Sequence, residues 1–426
     1  MSGLAKFCLT QGKTVSGSDK TTSNVTRKLA SLGAHVFKGH SEKNVAGAEL
    51  VVYSSAIDES NPELEYAVKH KIPIVKRSEL LGEILALHKR TIAVSGSHGK
   101  TTVTAMISEI FIAARLDPTV FLGGERKTFG NFRLGANTFA IAEACEYKRN
   151  FLDMHCAITV VLNVDHDHVD TYKTIDDAVA AFSAFTKNTF CILNADDDNA
   201  RRIFNACTVT FGIKNLAAYR AKYISKAECR AFTVYAYGKR LGRIKLKIAG
   251  EHNVLNALAA ITVATECGVP FSVVQKTLNA FDGVKRRNEL LGKFMGIACY
   301  ADYAHHPTEI SALLKDKTVK TLAVFQPHTY SRTAALKDDF ITALSLADGI
   351  IIYKTYPARE KFRKAGDGKT LYTKILENGV KGIGYADNPV SLKKELKSCA
   401  KNYDKIIFIG AGDIYSIAKS IVFKQE

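Results

Sequence analysis

The stretch Ser95-Gly96-Ser97-His98-Gly99-Lys100-Thr101-Thr102 follows an apolar run at residues 91–94 and leads into a segment whose apolar residues have helical spacing. It predicts a strand, a glycine-rich turn and a helix. Glycines let the backbone of the turn approach a phosphate closely, the first amides of the helix point to the same place, and Lys100 adds a positive charge. The stretch therefore predicts a phosphate-binding loop, in which the hydroxyl of Thr101 is a ligand for magnesium.

The spacing of this loop departs from the usual phosphate-binding motif. That motif has a glycine five positions before Gly99, where this chain has Val94. A turn that only connects two elements is the alternative interpretation. The lysine and the two threonines after Gly99 favour phosphate chemistry, because they put a cation and hydroxyl groups at the start of the helix.

Composition limits the class of protein. The chain has 426 residues, 46% of them apolar, which is enough for two or three domains. Its formal net charge of +17 is spread along the chain without an aromatic and basic recognition motif, so we expect attraction for anionic nucleotides and no nucleic-acid partner.

The nine cysteines show no C-x-x-C spacing, which argues against a disulfide framework or a zinc site and predicts a reducing cytoplasm. No leader pattern and no apolar run of about 18 residues is present, so we expect a protein that does not enter a membrane.

Strand and helix patterns alternate along the chain, which predicts an α/β fold with parallel sheets. The pattern crosses into the phosphate-loop unit near residue 88, and a further alternating unit begins near residue 291. We therefore expect three domains, at residues 1–88, 89–290 and 291–426.

The first domain begins with a helical pattern, followed by a predicted strand at residues 13–15. A later predicted strand, residues 50–53, ends in Ser54 and Ser55. Small polar residues at a strand end suit a ligand crevice at the carboxyl edge of a sheet. Ordinary turn residues explain this pair equally well.

Two predicted strands of the middle domain end in groups that bind metals. Residues 139–141 lead to Glu143, and residues 157–162 lead to a polar stretch that contains His168. The carboxyl ends of parallel strands meet at one edge of a sheet, which here also holds the phosphate loop. We therefore expect Glu143 and His168 to hold metal beside a bound Mg-ATP, although either residue alone would suit a capped turn.

Two later features of the middle domain also suit nucleotide chemistry. Asn253 and Asn256 lie three positions apart in a predicted helix, so both amides face one side, where they suit a base or a phosphate. Helix capping is the alternative. The cluster Lys285-Arg286-Arg287 could neutralise a phosphoryl group in transfer, or it could be solvated surface.

All strands predicted in the last domain end in polar residues. These ends lie at residues 302–309, 326–332, 356–360 and 410–413. The first contains the adjacent His305 and His306. Without a carboxylate cluster beside them, substrate contacts or helix capping are favoured over a metal site.

Nine segments of the chain together make a specific pattern. They are SGSHGKTT, EACE, NVDHDHVDTY, GEHNVLNA, GVKRRNE, DYAHHPTEI, FQPHTYSR, YPARE and GAGDI. With these segments the chain resembles the Mur ligases of peptidoglycan synthesis, from its first residue to at least Asp413, and within them the branch that adds alanine. The resemblance implies a Rossmann-like first domain that binds a UDP-sugar, a central ATPase-type phosphate-loop domain and a Rossmann-like third domain. It also implies a cytoplasmic ligase that uses ATP and Mg²⁺. We expect this ligase to be a monomer or a weak homodimer.

The resemblance implies a role for each matching residue. Nucleotide binding is implied for Gly96, Ser97, His98, Gly99, Lys100, Thr101, Thr102, Asn253, Arg287 and Asp302. Magnesium binding is implied for Thr101, Glu143 and His168, and a part in catalysis for Lys100, Glu143, His168 and Arg287. Tyr303, His328 and Arg332 match positions that receive the amino acid, and Ser54 and Ser55 are further substrate candidates from their place at a strand end.

The implied reaction begins with phosphorylation of the carboxylate of UDP-N-acetylmuramate by ATP, after which the amine of L-alanine attacks the acyl phosphate. Physical chemistry agrees, because a free carboxylate would have to expel oxide, whereas an acyl phosphate expels phosphate. Magnesium, Lys100 and Arg287 would offset the repulsion between the two anions. Closure of three domains would exclude water from the acyl phosphate.

The chain departs from the family pattern at three places. The family has a strand and a glycine-rich turn before the segment matched by Met1-Ser2-Gly3-Leu4, so we expect a true start upstream, and an unstable first domain that binds its nucleotide poorly. Thr329 stands where the alanine-adding branch usually has arginine, which leaves the identity of the amino acid open although Arg332 remains. Asn288 stands where an aromatic residue is common.

Other functions remain as alternatives. A ligase that recycles murein tripeptide shares the loop and the histidine pair but has another segment in place of FQPH, so this chain follows the alanine-adding branch. A Mur-like binding protein without catalysis is disfavoured by intact Lys100, Glu143 and His168. A nucleic-acid ATPase is disfavoured because the loop lacks the standard spacing and no helicase-like motif follows it.

Overall fold

Strands and helices alternate along the chain in a computed structural model, which describes residues 1–168, 171–203, 205, 207–225, 230–315, 318–380 and 382–423. The strands are β1 (Ser16–Asp19), β2 (His35–Lys38), β3 (Val51–Tyr53), β4 (Ile74–Lys76), β5 (Arg90–Ser95), β6 (Thr119–Arg126), β7 (Gly130–Arg133), β8 (Phe139–Glu143), β9 (Ile158–Val161), β10 (Phe190–Asn194), β11 (Thr208–Gly212), β12 (Tyr219–Lys222), β13 (Ala231–Ala236), β14 (Lys239–Lys245), β15 (Glu289–Phe294), β16 (Ile297–Asp302), β17 (Thr321–Phe325), β18 (Gly349–Tyr353), β19 (Ile383–Ala386) and β20 (Lys405–Ile409). The helices are α1 (Ser2–Thr10), α2 (Asn24–Ser31), α3 (Pro62–Lys69), α4 (Arg77–Ala86), α5 (Lys100–Ala113), α6 (Ile175–Thr186), α7 (Glu251–Glu266), α8 (Phe271–Ala280), α9 (Pro307–Leu314), α10 (Tyr330–Ala335), α11 (Lys337–Leu344), α12 (Gly368–Glu377), α13 (Pro389–Cys399) and α14 (Ile414–Phe423).

The largest sheet has ten strands in the order β14-β13-β12-β11-β10-β9-β5-β8-β6-β7. Strand β5 lies inside it, parallel to β8 on one side and to β9 on the other. Val94 of β5 is level with Glu143 of β8 and with Val160 of β9. The carboxyl ends of these three strands therefore meet at one edge of the sheet, as the sequence predicts.

A second sheet has six strands in the order β15-β16-β20-β17-β18-β19. Its apolar side chains alternate between two cores, as the two-residue period of a strand requires. Val324, Ile351 and Phe408 face one core, and Phe325, Ile352 and Ile409 face the other. Strand β15, which the sequence analysis did not predict, pairs antiparallel with β16 at the edge of this sheet.

The first 88 residues contain two small parallel sheets, β1 with β2 and β3 with β4. The prediction of a strand at residues 13–15 is wrong, because residues 11–13 form the turn that ends α1, with the amide of Lys13 donating to the carbonyl of Cys8. Strand β1 follows at Ser16–Asp19. Strands β13 and β14 are neighbours in the large sheet and are joined by a tight turn at Tyr237-Gly238.

The chain divides into two compact units. The first comprises Met1–Lys222, Thr233–Ile244 and Leu255–Asn279, and the second comprises Tyr223–Phe232, Lys245–Val254 and Ala280–Glu426. In the first unit, Phe7 of α1 and Leu85 of α4 share one apolar core with Phe182 of α6. The three domain boundaries given above stay a prediction. Among the described helices, none combines the length and the apolar character that a membrane span needs.

Candidate active site

The predicted phosphate loop joins β5 to α5 in the first unit. Gly96 and Gly99 have φ angles of 133° and 89°, in the region that favours glycine. A Cβ atom on Gly96 would lie 3.0 Å from Cβ of Leu162, and one on Gly99 would lie 2.6 Å from Oδ1 of Asn256. No side chain caps the first turn of α5, so its amides are arranged as at an anion site.

The residues after β9 hold the loop in place. Asn163 accepts a hydrogen bond from the amide of His98 (2.8 Å) and donates to the carbonyl of the same residue (3.1 Å). The hydroxyl of Ser97 accepts from the amide of Asp165 (2.9 Å), and the His98 ring lies 3.2 Å from the Asp165 carboxylate. The sequence analysis assigned no role to Asn163 or Asp165, although both lie in a quoted segment.

Glu143 lies at the predicted place beside the loop. The hydroxyl of Thr101 donates to Oε2 of Glu143 (2.9 Å), and the amide of Gly123 donates to Oε1 (2.5 Å). Carboxylate and hydroxyl oxygens are the donors that magnesium prefers. Thr101 and Glu143 therefore fit the predicted magnesium site, which stays a proposal.

Lys100 contacts a residue that the sequence analysis missed. Its Nζ lies 3.0 and 3.1 Å from the two carboxylate oxygens of Glu146, donates to the carbonyl of Ser97 (3.1 Å) and also donates to the carbonyl of Gly96. Glu146 is only 3% exposed. His168 Nε2 lies 3.6 Å from Oε1 of Glu146. The available signal was the EACE segment, in which the second glutamate follows the predicted metal ligand by three positions.

Charge pairing keeps both partners ionised in spite of their burial. Burial opposes the charge on Lys100, but attraction to Glu146, together with smaller contributions from Glu143 and Cys145, raises the pKa of the ammonium overall. Burial likewise opposes the charge on Glu146, but Lys100 and then His168 lower the pKa of this carboxyl. The loop therefore holds a charged lysine beside a charged carboxylate.

The substrate candidates Ser54 and Ser55 follow strand β3. The hydroxyl of Ser55 lies 3.0 Å from Nδ2 of Asn150, and its carbonyl accepts from Nζ of Lys148 (3.2 Å). Lys148 and Arg149 both have positive φ angles, of 50° and 57°. Ser55 thus contacts the segment that directly follows Glu146, and its role toward a substrate stays a prediction.

In the second unit, the basic cluster is divided between two tasks. The guanidinium of Arg286 lies 4.6 Å from the ring centre of Tyr303 and 5.2 Å from that of Tyr415, and burial lowers its pKa. Arg287 also lies over Tyr303 (5.2 Å), and its Nη1 is 3.8 Å from Oε1 of Glu309. Arg286 therefore packs inside the unit, which corrects the alternative of a wholly solvated cluster.

Asp302 and Asn253 make local contacts. Both carboxylate oxygens of Asp302 accept main-chain amides, from Asn288 (2.7 Å) and Ala304 (2.7 Å). Burial raises the pKa of Asp302, while Arg287 acts in the opposite direction. Asn253 donates from its amide to the carbonyl of Ala249 (2.6 Å). These contacts fit loop and helix support, and nucleotide contacts for both residues stay predictions.

His328 lies in a buried aromatic setting of the second unit. Its ring stacks on Tyr356 with 5.7 Å between centres and lies 5.9 Å from the ring of His305. Nδ1 of His328 is buried without a hydrogen-bond partner. Burial, and then the charges of His305 and Arg332, lower the pKa of His328 to about 4. The ring is therefore neutral at pH 7, with an open position for a donor or acceptor.

Two neighbours of His328 have unusual settings. Thr329 has φ of 65° and ψ of 144°, which is strained for a β-branched residue, and its amide donates to the carbonyl of Tyr356 (2.9 Å). The amide of Ser331 donates to the carboxylate of Glu360 (2.8 Å). His306 begins α9 and accepts from the amide of Thr308 (3.4 Å), as the helix-capping interpretation predicted.

Two family models match this chain. A Mur ligase middle domain model matches residues 94–264, and a model of the Mur ligase family, catalytic domain, matches residues 1–89. The UDP-N-acetylmuramate–L-alanine ligase of Clostridium novyi is 42% identical over 435 residues, which is 98% of this chain and 94% of the relative. The chain belongs to the Mur ligase family.

Further relatives agree with this placement of the Mur ligase. The UDP-N-acetylmuramate–L-alanine ligase of Acetivibrio thermocellus is 42% identical over 441 residues, covering 100% of this chain and 94% of the relative. The solved UDP-N-acetylmuramate-alanine ligase of Thermotoga maritima matches with a TM-score of 0.85 at 29% identity, covering 100% of this chain and 96% of that one. The murein peptide ligase of Psychrobacter arcticus matches with a TM-score of 0.75 at 23% identity, over 99% and 96% of the two chains, which shows the fold alone. The predicted family, α/β fold class and ligase activity of the chain are thereby confirmed.

Proposed function

We propose that this Mur ligase joins L-alanine to the carboxylate of UDP-N-acetylmuramate at the expense of ATP. The observation that supports it most is the group formed by Lys100, Thr101 and Glu143 at the carboxyl edge of the large sheet, beside the uncapped first turn of α5. The names of relatives 42% identical over nearly the whole chain give the substrates.

The reaction needs a leaving group on the sugar-linked carboxylate. Amides at the start of α5 and the ammonium of Lys100 suit the phosphates of ATP, since both place positive charge where the transferred phosphoryl group becomes more negative. Thr101 and Glu143, with His168, would hold Mg²⁺, which when bound offsets the charge of the nucleotide phosphates. Arg287 is proposed to add a further cation.

The second half of the reaction needs a neutral amine on L-alanine. His328 is neutral at pH 7 because burial and nearby cations lower its pKa to about 4, and its unpartnered Nδ1 can accept a proton of the incoming ammonium group in a hydrogen bond. Arg332 is proposed to bind the carboxylate of the amino acid. Tyr303 and Ser55 remain proposed substrate contacts.

The compartment and the partners are also proposals. The described cysteines Cys8, Cys145, Cys156, Cys191, Cys207, Cys267, Cys299 and Cys399 are free thiols, which supports a reducing cytoplasm. We propose a monomer or weak homodimer that acts without nucleic acid or membrane.

Phosphate release by the purified chain tests this function. The chain is given Mg-ATP and UDP-N-acetylmuramate, with L-alanine, glycine, L-serine or murein tripeptide in separate reactions. Release that needs both the UDP-sugar and L-alanine, with formation of the alanyl product by mass spectrometry, supports the proposal. Release with the tripeptide and not with L-alanine would replace it with the recycling reaction.

A further inference from the structure

Glu146 is the one charged side chain within reach of both Lys100 and His168 in the contacts of the loop described above. Its carboxylate lies 3.0 and 3.1 Å from Nζ of Lys100 and 3.6 Å from Nε2 of His168, and it is 3% exposed. Burying a carboxylate costs free energy, and the ion pair with Lys100 and the contact with His168 offset that cost. This arrangement suggests that the charge of Glu146 has a role at the loop.

The main chain of Glu146 is held by two hydrogen bonds. Its carbonyl accepts the hydroxyl of Tyr172 (2.6 Å) and the amide of Arg149 (2.9 Å). Tyr172 is 1% exposed. The main chain of Glu146 therefore has little freedom to move. This suits a residue whose carboxylate fixes the positions of neighbouring side chains.

Lys100 uses every proton of its ammonium group in this arrangement. A lysine ammonium has three protons to donate, and here the acceptors are the carbonyls of Gly96 and Ser97 and the carboxylate of Glu146. The two carbonyls belong to the loop, whereas Glu146 follows strand β8. Glu146 thus links the lysine to a second strand of the sheet.

His168 is held from the same carboxylate. Its backbone has a left-handed conformation with φ of 56°. Nε2 faces Glu146 at 3.6 Å and Asp167 at 3.7 Å. Carboxylates that face one ring nitrogen of a histidine fix the ring, and they leave the other nitrogen for a metal or substrate.

We propose that Glu146 is a positioning residue for phosphoryl transfer, which holds the ammonium of Lys100 and the ring of His168 in one arrangement. The kinetic part of this inference rests on the proposed function. The charge of Glu146 also opposes the nucleotide phosphates, because like charges repel in a partly dehydrated site. Removing this charge should therefore lower turnover, because the positioning is lost, and should leave the affinity for nucleotide unchanged or raise it, because the repulsion is lost.

The test compares Glu146→Gln, which keeps the shape and removes the charge, with Glu146→Asp, which keeps the charge. The matched control is Glu109→Gln, because Glu109 also pairs with a buried cation, Arg126 of β6, and lies nine positions after Lys100 on α5. We expect kcat of Glu146→Gln to fall about 10- to 100-fold, with the KM for ATP unchanged or lower. Glu146→Asp should recover part of kcat, and Glu109→Gln should keep kcat near that of the parent.

A second measurement does not depend on activity. Amide hydrogen exchange of the ligand-free chain is followed in a peptide that covers residues 96–101. Exchange should be faster in Glu146→Gln, should return toward the parent in Glu146→Asp, and should be unchanged in Glu109→Gln. If the parent releases no phosphate, the proposed function fails, while the exchange result still decides the role of Glu146 in holding the loop.

Two results would overturn the inference. One is a folded Glu146→Gln variant with kcat within twofold of the parent and unchanged exchange in the loop. The other is a rise in the KM for ATP with unchanged kcat, which would make Glu146 a ground-state binding residue.

Discussion

The phosphate loop of the first unit and the loop around His328 in the second unit differ in whether their main polar group has hydrogen-bond partners. Lys100 donates hydrogen bonds to the carbonyls of Gly96 and Ser97 and to the carboxylate of Glu146. His328, in contrast, keeps a buried Nδ1 without a partner. In the first loop, nearby acceptors fix the position of the Lys100 ammonium. In the second loop, Nδ1 of His328 has a hydrogen-bonding position to spare. Charge is thus prearranged at the proposed phosphate site, and a hydrogen-bonding position is left open at the proposed site of the amine.

Replacing Lys100 by alanine tests the first side of this comparison and should have the largest effect. Phosphate release should fall about 1,000-fold or more, because a cation placed where charge develops contributes 10²- to 10³-fold or more to turnover. Glu146 would also be left without its main partner, so thermal melting is measured to separate misfolding from lost chemistry. Release near the level of the parent would show that the prearranged charge is not needed.

Replacing Gly99 by alanine tests whether the backbone of the first loop is equally prearranged. An added Cβ would lie 2.6 Å from Oδ1 of Asn256 at a φ of 89°, so the loop must shift, and affinity for Mg-ATP by calorimetry should fall roughly 100-fold. Gly130 is the matched control, because it has φ of 73° with open space around its Cβ position. Gly130→Ala should cost stability only, about 1 kcal/mol. Equal loss of affinity in both variants would contradict the role of the clash.

Acid should sharpen the comparison, because the second unit holds the half-buried His328 as a neutral ring. Burial, and then the charges of His305 and Arg332, lower the pKa of His328 to about 4 from an ordinary value of 6.5. The unfolded chain takes up this proton below pH 6.5 and the folded chain only near pH 4, so stability falls as the pH falls through that window. The loss is at most about 3 kcal/mol for His328, since solvent screens part of the effect on a half-buried ring, and the raised pKa of Asp302 acts against it.

Urea unfolding of the second unit, followed by hydrogen exchange in its peptides at pH 7 and pH 5, measures this loss. His328→Gln should have a flatter dependence on pH than the parent, because it removes the group that must take up a proton. A free energy of unfolding that rises from pH 7 to pH 5 in the parent would contradict the assignment.

Replacing Thr329 by glycine tests the strained backbone of the second loop and should have the smallest effect. A β-branched residue at φ of 65° stores strain of about 1 kcal/mol or more, which glycine relieves. The variant should be as stable as the parent or about 1 kcal/mol more stable in urea unfolding. A variant that is less stable than the parent by more than about 1 kcal/mol would show that the contacts of the Thr329 side chain outweigh the backbone strain.

The parts that local chemistry determines were predictable from the sequence. Gly96 and Gly99 sit where a turn needs positive φ, and Glu143 follows a strand that ends beside the loop because parallel strands end at the same edge. Strand β1 was misplaced because the turn that follows α1 reaches Lys13, and helix ends depend on backbone bonds that residue patterns do not specify.

The contacts that depend on tertiary packing were not predictable. Glu146 resembles any other turn glutamate until β8 and the loop are placed side by side. Arg286 and Arg287 are adjacent in sequence, yet one packs between Tyr303 and Tyr415 and the other faces Glu309. Which partners each member of such a pair contacts depends on side chains more than ten positions away in the chain, and no local pattern encodes it.

The hydrogen bonds from Asn163 and Asp165 to the phosphate loop have a consequence for the order of events during synthesis. The loop emerges from the ribosome some sixty residues ahead of the residues that hold it, and strands β8 and β9 flank β5 only after both have been made. A growing chain that ends before residue 163 has all the glycines of the loop but lacks the hydrogen bonds that Asn163 and Asp165 make to it. We therefore expect the loop to reach its final conformation only at a chain length well beyond the motif itself.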